Sequence, residues 1–226
     1  MTEYKIIICL KSNLHVGSGF GFARIVDLMS VKDANGLAYI PASTIKGKLR
    51  SACSKIAFTL LDEQDFLSRE SKICQKLSKD VCKHEDPKDR CIICRLFGSP
   101  YAEGKLIFKD AVINEDDADK ITTLSYINRF RIDEQNEIRS SVKLSRRLRI
   151  SSPQNLFTVE STSKKLTFSG SIYAKEELTD QEQNLLKYGL KILSHIGGQK
   201  SRGLGRIESI CCPELGLNCR RLIDYE

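Results

Sequence analysis

The segment CKHEDPKDRCIIC holds Cys82, His84, Cys91 and Cys94 within thirteen residues. Thiolates and imidazoles are the ligands of closed tetrahedral zinc sites, and Cys91-x-x-Cys94 is the usual half of one. Cys82 and His84, one residue apart, can supply the other two corners, and Cys74 upstream can substitute for either. Four protein ligands leave no open position, so an ion held this way folds its segment and does no chemistry. The chain has nine cysteines, an odd number, and five of them fall between residues 53 and 94. In a reducing compartment that pattern points to metal before disulfide.

A second stretch, GGQKSRGLGRI at residues 197–207, puts four glycines and three cations into eleven residues. It is not a phosphate-binding P-loop, because Gln199 stands where that motif needs glycine and a strand follows instead of a helix. The amides of Gly198, Gly203 and Gly205, with Lys200, Arg202 and Arg206, could instead track a sugar-phosphate backbone. STIKGKLR adds Lys46, Lys48 and Arg50 on the opening turns of a helix, where an anion is welcomed by both the side chains and the helix dipole. The whole chain agrees in sign: 36 Lys and Arg against 29 Asp and Glu give a net charge of +7, which suits a polyanionic partner. Outside the cysteine segment only His15 and His195 titrate near neutrality and are candidate general bases.

These groups must be positioned by elements that the apolar pattern outlines. YKIIICL is apolar on both faces and reads as a central strand. HVGSGFGF is an irregular glycine-bearing loop. Pro41 and Ser43 precede Ile45, Leu49, Cys53, Ile56 and Leu60, a helical stripe with Ser43 or Thr44 as N-cap. Residues 62–104 read as a cysteine-bearing insertion, KLIFKDAVI as a strand, and NEDDADK as a solvated acidic turn. Residues 122–163 read as an exposed basic β-excursion. Leu166, Phe168, Gly170, Ile172 and Ala174 alternate on one face of another strand. Thr179 and Glu182 form a capping box for a helix running to Gly197, and a last strand starts within GRIESICC. The order strand, helix, strand, strand, helix, strand is an α+β, ferredoxin-like skeleton carried by one decorated domain over residues 1–226. The N-terminal apolar run of five residues is too short for a signal peptide, and no run approaches the roughly 18 residues of a membrane span. An intracellular, cytoplasmic protein is expected.

HVGSG, YIPASTIKGKLRSA, CIICRLFGSP and GGQKSRGLGRI, in that order, resemble the RAMP superfamily, and within it the repeated backbone subunit of Csm-type, type III CRISPR interference complexes. The resemblance implies a ferredoxin-like fold with a projecting hairpin thumb drawn from residues 122–163. It implies several copies, or paralogous subunits, stacked along a guide crRNA and holding target single-stranded RNA. In that subunit an aspartate in the loop before the first helix cleaves target RNA with Mg2+ or Mn2+. RIVDLMSVKDANGLAYIP matches the segment, with Asp27 at the catalytic position and Asp33 in the matched Lys-Asp pair. Ala42 stands where the family often has glycine. Two rival readings remain at this point: a catalytically silent architectural subunit, and a stand-alone crRNA-processing endoribonuclease with a histidine base.

Overall fold

The computed structural model describes residues 1–21, 26–60, 82, 90–127, 135–144 and 151–218. Its centre is strand β1, Thr2–Leu10, hydrogen-bonded antiparallel to β7 (Thr167–Ala174) on one side and β8 (Ile207–Cys211) on the other. Beyond β7 lie β3 (Leu106–Phe108), β4 (Ala111–Ile113) and the short β2 (Tyr39–Ile40), completing the order β2-β4-β7-β1-β8 with β3 also on β7. KLIFKDAVI is thus two strands, broken where Asp110 turns aside. Its carboxylate accepts the Ala42 N–H at 2.7 Å, at the first residue of helix α1, Ala42–Leu60. The expected Ser43 or Thr44 cap is therefore replaced by a side chain from 68 residues downstream, which satisfies one of the orphan donors that every helix start exposes.

Tyr4, Ile6, Ile8 and Leu10 of β1 are buried while Lys5 is exposed and Ile7 half-buried. So β1 is central as read, but it is covered chiefly on one face, with Cys9 the buried residue of the other. That face packs on α1 through Ile45, Leu49, Cys53 and Ala57, and on helix α4 (Asp180–Ile192) through Leu185, Leu186 and Leu190. Burial pushes the Cys53 thiol up to about 12, so it packs as a small neutral hydrophobe. The capping box at Thr179 and Glu182 forms as read, each side chain bonding the other residue's backbone N–H. The Glu182 carboxylate is also buried against Lys105 at 3.1 Å and Arg95 at 3.5 Å, tying α4 to the segment after the cysteines. α4 ends at Ile192, five residues before Gly197. Ile192 is half exposed, whereas Ile196 is buried from the loop that follows.

Two expectations about the middle of the chain change. Helix α2, Ile92–Phe97, is buried on nearly all sides and belongs to the main core. Residues 91–97 are thus core rather than insertion, while Pro100, Tyr101 and Glu103 after them are exposed; a helix buried all round has no polar face to reveal its period. NEDDADK opens helix α3, Glu115–Ile127, with Glu115, Asp116 and Asp117 in its first turn, where acids favour the helix dipole. Hairpin strands β5 (Asn136–Leu144) and β6 (Ser151–Thr162) form a separate two-stranded sheet, in register from Asn136 opposite Thr162 to Val142 opposite Leu156, beyond which the register shifts to set Leu144 opposite Ser151. Ile138, Val142 and Leu156 stand exposed on it. The base of the hairpin is pinned by Gln135, whose side chain accepts the Ala38 N–H and donates to the Gly36 carbonyl. No described helix is long and apolar enough to cross a membrane.

Candidate nucleic-acid interface

The glycine-rich loop meets the start of α1 across a shallow groove of about 440 Å3 lined by Val16, Gly17, Ser43, Thr44, Gly47, Lys48, Gly197 and Gly198. Two segments some 150 positions apart in the chain form its walls. Lys48 lines the groove, and Lys200 and Arg206, from the glycine-rich segment, act together with Lys48 on the His195 imidazole. Burial first, then these three cations, hold His195 below its ordinary value of 6.5. Lys200 and Arg206 are exposed. Arg206 is fixed through its backbone, its N–H donating to Ser12 Oγ at 2.9 Å and its carbonyl accepting from Lys11 at 2.8 Å.

The other cations of the two motifs go elsewhere. Residues two apart on a helix point about 160° from each other, so Lys46, Lys48 and Arg50 cannot share a face. Lys48 takes the groove. Lys46 lines a second cavity of about 750 Å3 with Phe97, Tyr101, Phe108 and Lys175. Arg50 donates to the Gly98 carbonyl at 2.7 Å and approaches Cys94 Sγ at 3.7 Å, so it buttresses the end of α2. Arg202 lies over the Phe157 ring of β6, 4.7 Å from its centroid, a cation–π contact that docks the loop onto the hairpin.

The loop amides also serve the fold. Gly198 donates to the His15 carbonyl at 2.8 Å, Gly203 to Lys200 at 3.0 Å and Gly205 to Asn13 at 2.7 Å. The reading that these three amides face phosphate is corrected: each is already satisfied within the chain, so the loop presents the exposed side chains of Lys200 and Arg206 instead. Gly205 is required for geometry. Its φ is +71° and a Cβ there would lie 1.9 Å from the Ile196 carbonyl oxygen, a position that no side chain can occupy.

Asp27 sits in a strap, residues 26–32, that adds to the free edge of β6. Leu28 bridges Val159 in parallel, Leu28 N–H donates to Thr158 O at 3.1 Å, and Glu160 N–H donates to Leu28 O at 2.9 Å. The strap also pairs with the groove wall, Gly17 bridging Ser30 and Val31 N–H donating to Val16 O. The buried Glu160 carboxylate fastens it by accepting Ser30 N–H at 2.8 Å and pairing with Lys32 at 3.0 Å. Asp27 is exposed, and its Oδ2 accepts both the N–H (2.7 Å) and the hydroxyl (3.1 Å) of Thr158. Asp33, by contrast, spends its Oδ1 on the N–H groups of Asn35 and Leu37 and shapes a turn. His15 is buried, with Nδ1 2.7 Å from the Glu160 carbonyl; it is a strut of the same assembly and not an accessible base.

Of the proposed metal ligands, Cys82, Cys91 and Cys94 are buried together with their sulfurs within 4.8 Å of one another. His84 and the alternative Cys74 lie outside the described residues. Cys91 caps α2, its Sγ accepting the Cys94 N–H, and Cys82 Sγ accepts the Cys91 N–H, both at 3.5 Å. Three sulfurs so close, each approached by N–H donors, form a set that a soft divalent metal fits.

The sequence reading missed Thr158, Phe157 and the wall residues Val16 and Gly17. HVGSG was a signal for the last two, but nothing in the pattern of β6 marks Thr158, because its partner is 131 residues away. No curated protein matches the chain. The family model that does match runs from residue 8 in β1 to residue 208 in β8, and so takes in the groove, the strap, the cysteines and the hairpin alike: this chain belongs to the RAMP superfamily.

Proposed function

We propose that the protein is a crRNA-binding backbone subunit of a Csm-type, type III CRISPR effector complex, one that cleaves bound target RNA through Asp27 with a divalent metal. The observation that carries the reading is the meeting of Lys48 with the Gly197–Gly198 loop on one groove, one strand away from an exposed carboxylate on the strap. The antiparallel order β4-β7-β1-β8 with α1 and α4 against it supports a ferredoxin-like core in a single domain. The β5–β6 hairpin with its exposed apolar residues supports the thumb that separates guide from target. Copies of the same chain, or paralogous RAMP subunits, are its partners in a cytoplasmic ribonucleoprotein. The three buried sulfurs support a structural Zn2+, its fourth corner coming from His84 or Cys74.

In the cleavage step the 2′-oxygen of one nucleotide attacks the adjacent phosphorus and gives up its proton. The 5′-oxygen of the next nucleotide departs and gains one, leaving a 2′,3′-cyclic phosphate and a 5′-hydroxyl. The Asp27 carboxylate, with RNA phosphates, would hold a Mg2+ or Mn2+ ion, which would supply positive charge beside the reacting phosphate and lower the pKa of the 2′-hydroxyl. The chain's own part is orientation: Lys48, Lys200 and Arg206 hold phosphates, and Asp27 sits on a strap that is bonded on both sides. Correct in-line orientation alone can contribute roughly 7 to 11 kcal/mol. Asp27→Ala in a reconstituted complex tests this. Lost target cleavage with guide and target binding retained supports it, and unchanged cleavage leaves the architectural subunit. The histidine-dependent processing reading keeps one supporting observation, His195 among the groove cations with a lowered pKa. Metal-independent cutting of repeat RNA by the isolated chain, abolished in His195→Ala, would establish it.

A further inference from the structure

We infer that Thr158, on the hairpin, is a positioning residue for Asp27 that reserves one carboxylate oxygen, Oδ1, for a metal ion; this rests on the proposed role of Asp27. The lock is reciprocal. Thr158 donates its N–H and its hydroxyl to Oδ2 at 2.7 and 3.1 Å, while Asp27 N–H donates back to Thr158 Oγ1 at 3.1 Å and to Thr158 O at 3.2 Å. Asp27 Oδ1 takes part in no hydrogen bond among the described residues. An aspartate on an exposed strap would ordinarily sample several rotamers. Here two donors to one oxygen fix the plane of the carboxylate and make Asp27 a one-oxygen ligand, the mode suited to a cation that keeps several waters and takes its remaining ligands from phosphate. Ligand carboxylates are commonly oriented by such outer partners. The lock also binds the metal-holding group to the hairpin strand itself, and Thr158 stands next to Phe157, the residue that carries Arg202. The two side chains lie on opposite faces of β6, so loop, hairpin and strap are registered to one another at adjacent positions.

The test uses the reconstituted complex with guide and target RNA. It reads Mn2+ binding to the complex by electron paramagnetic resonance, which should weaken wherever cleavage does in the variants below, and single-turnover cleavage against Mg2+ or Mn2+ concentration. Thr158→Val keeps the shape and the backbone N–H but removes both bonds of the hydroxyl. We expect cleavage at limiting metal to fall by about 10- to 100-fold, as for other partners of metal ligands, with partial recovery at high metal and unchanged target affinity. Thr158→Ser restores the hydroxyl and should restore the metal dependence. If the valine variant does not assemble, Thr158→Ala, which demands no space, takes its place. Full-rate cleavage by the valine or alanine variant at every metal concentration, alongside an inactive Asp27→Ala, overturns the positioning role alone. A serine variant as slow as valine also overturns it. Unchanged cleavage by Asp27→Ala removes the reading on which it rests, and the positioning role with it.

Discussion

Salt dependence of RNA binding separates the cations that face the groove from those that the fold has used. Each phosphate neutralised on a single strand contributes roughly 0.7 to the slope of log affinity against log salt concentration. Lys48, Lys200 and Arg206 all act on the same imidazole, that of His195; as three phosphate contacts they contribute about 2 to that slope. Between about 50 and about 200 mM salt this is roughly a 20-fold loss of affinity, against about 300-fold had all six motif cations met phosphate. The assay is fluorescence anisotropy of the isolated chain with a labelled single-stranded RNA over that range of salt. Lys48→Ala and Lys200→Ala should each lower the slope by about 0.7. Arg50→Ala should leave the slope as it was and lower the melting temperature instead, because its guanidinium bonds the Gly98 carbonyl and a charged hydrogen bond of this kind contributes about 1.5 to 3 kcal/mol. If Arg50→Ala lowers the slope as much as Lys48→Ala does, or if neither lysine changes it, the division of the two basic motifs argued above is wrong.

Other tests follow from the same geometry. The His195 pKa lies below 6.5 because of burial and then the fields of Lys200, Arg206 and Lys48; RNA phosphates in the groove reverse those fields, so an NMR titration should show it rising when RNA is added. In the absence of RNA a depressed histidine means that the unfolded chain binds more protons below pH 6.5, so its contribution to stability is lost as pH falls from there through the folded pKa. Gly205→Ala places a Cβ 1.9 Å from the Ile196 carbonyl oxygen at positive φ and should lower stability by more than about 2 kcal/mol in urea unfolding. Gly198→Ala finds only ordinary contacts, at 3.6 Å and beyond, so it should fold normally and weaken RNA binding by narrowing the groove. Cys91→Ser removes a thiol but leaves a hydroxyl that can still cap α2; metal measured on the purified protein should fall, and chelation of the parent should lower its melting temperature toward that of the variant.

Much of this was legible in one dimension because it depends on local periodicity or local donors. The alternation of Phe168, Ile172 and Ala174 put those residues on the buried face of β7, with Leu166 buried just ahead of it, and the Thr179–Glu182 box formed because both partners lie within one helical turn. The convergence of the two basic motifs followed from their resemblance to a known pattern, and their actual division did not. Lys46 and Arg50 were grouped with Lys48 by proximity along the chain, although the helical twist sends them to another face. The amides of Gly198 and Gly205 read as free because their acceptors, in His15 and Asn13, lie more than 180 residues upstream, whereas Gly203 bonds Lys200 within its own turn.

Residue types and order alone therefore determined the sign of the partner's charge, the soft character of the cysteine site, and the alternation of strands and helices, since each depends on composition or on spacing within a few turns. Tertiary structure alone decided which cations remain for RNA, that α1 takes its cap from Asp110, and that Thr158 holds one oxygen of Asp27. Those outcomes depend on pairings between residues 45 to 131 positions apart. A side chain's hydrogen-bonding capacity is limited, and only the folded chain determines which distant group uses it.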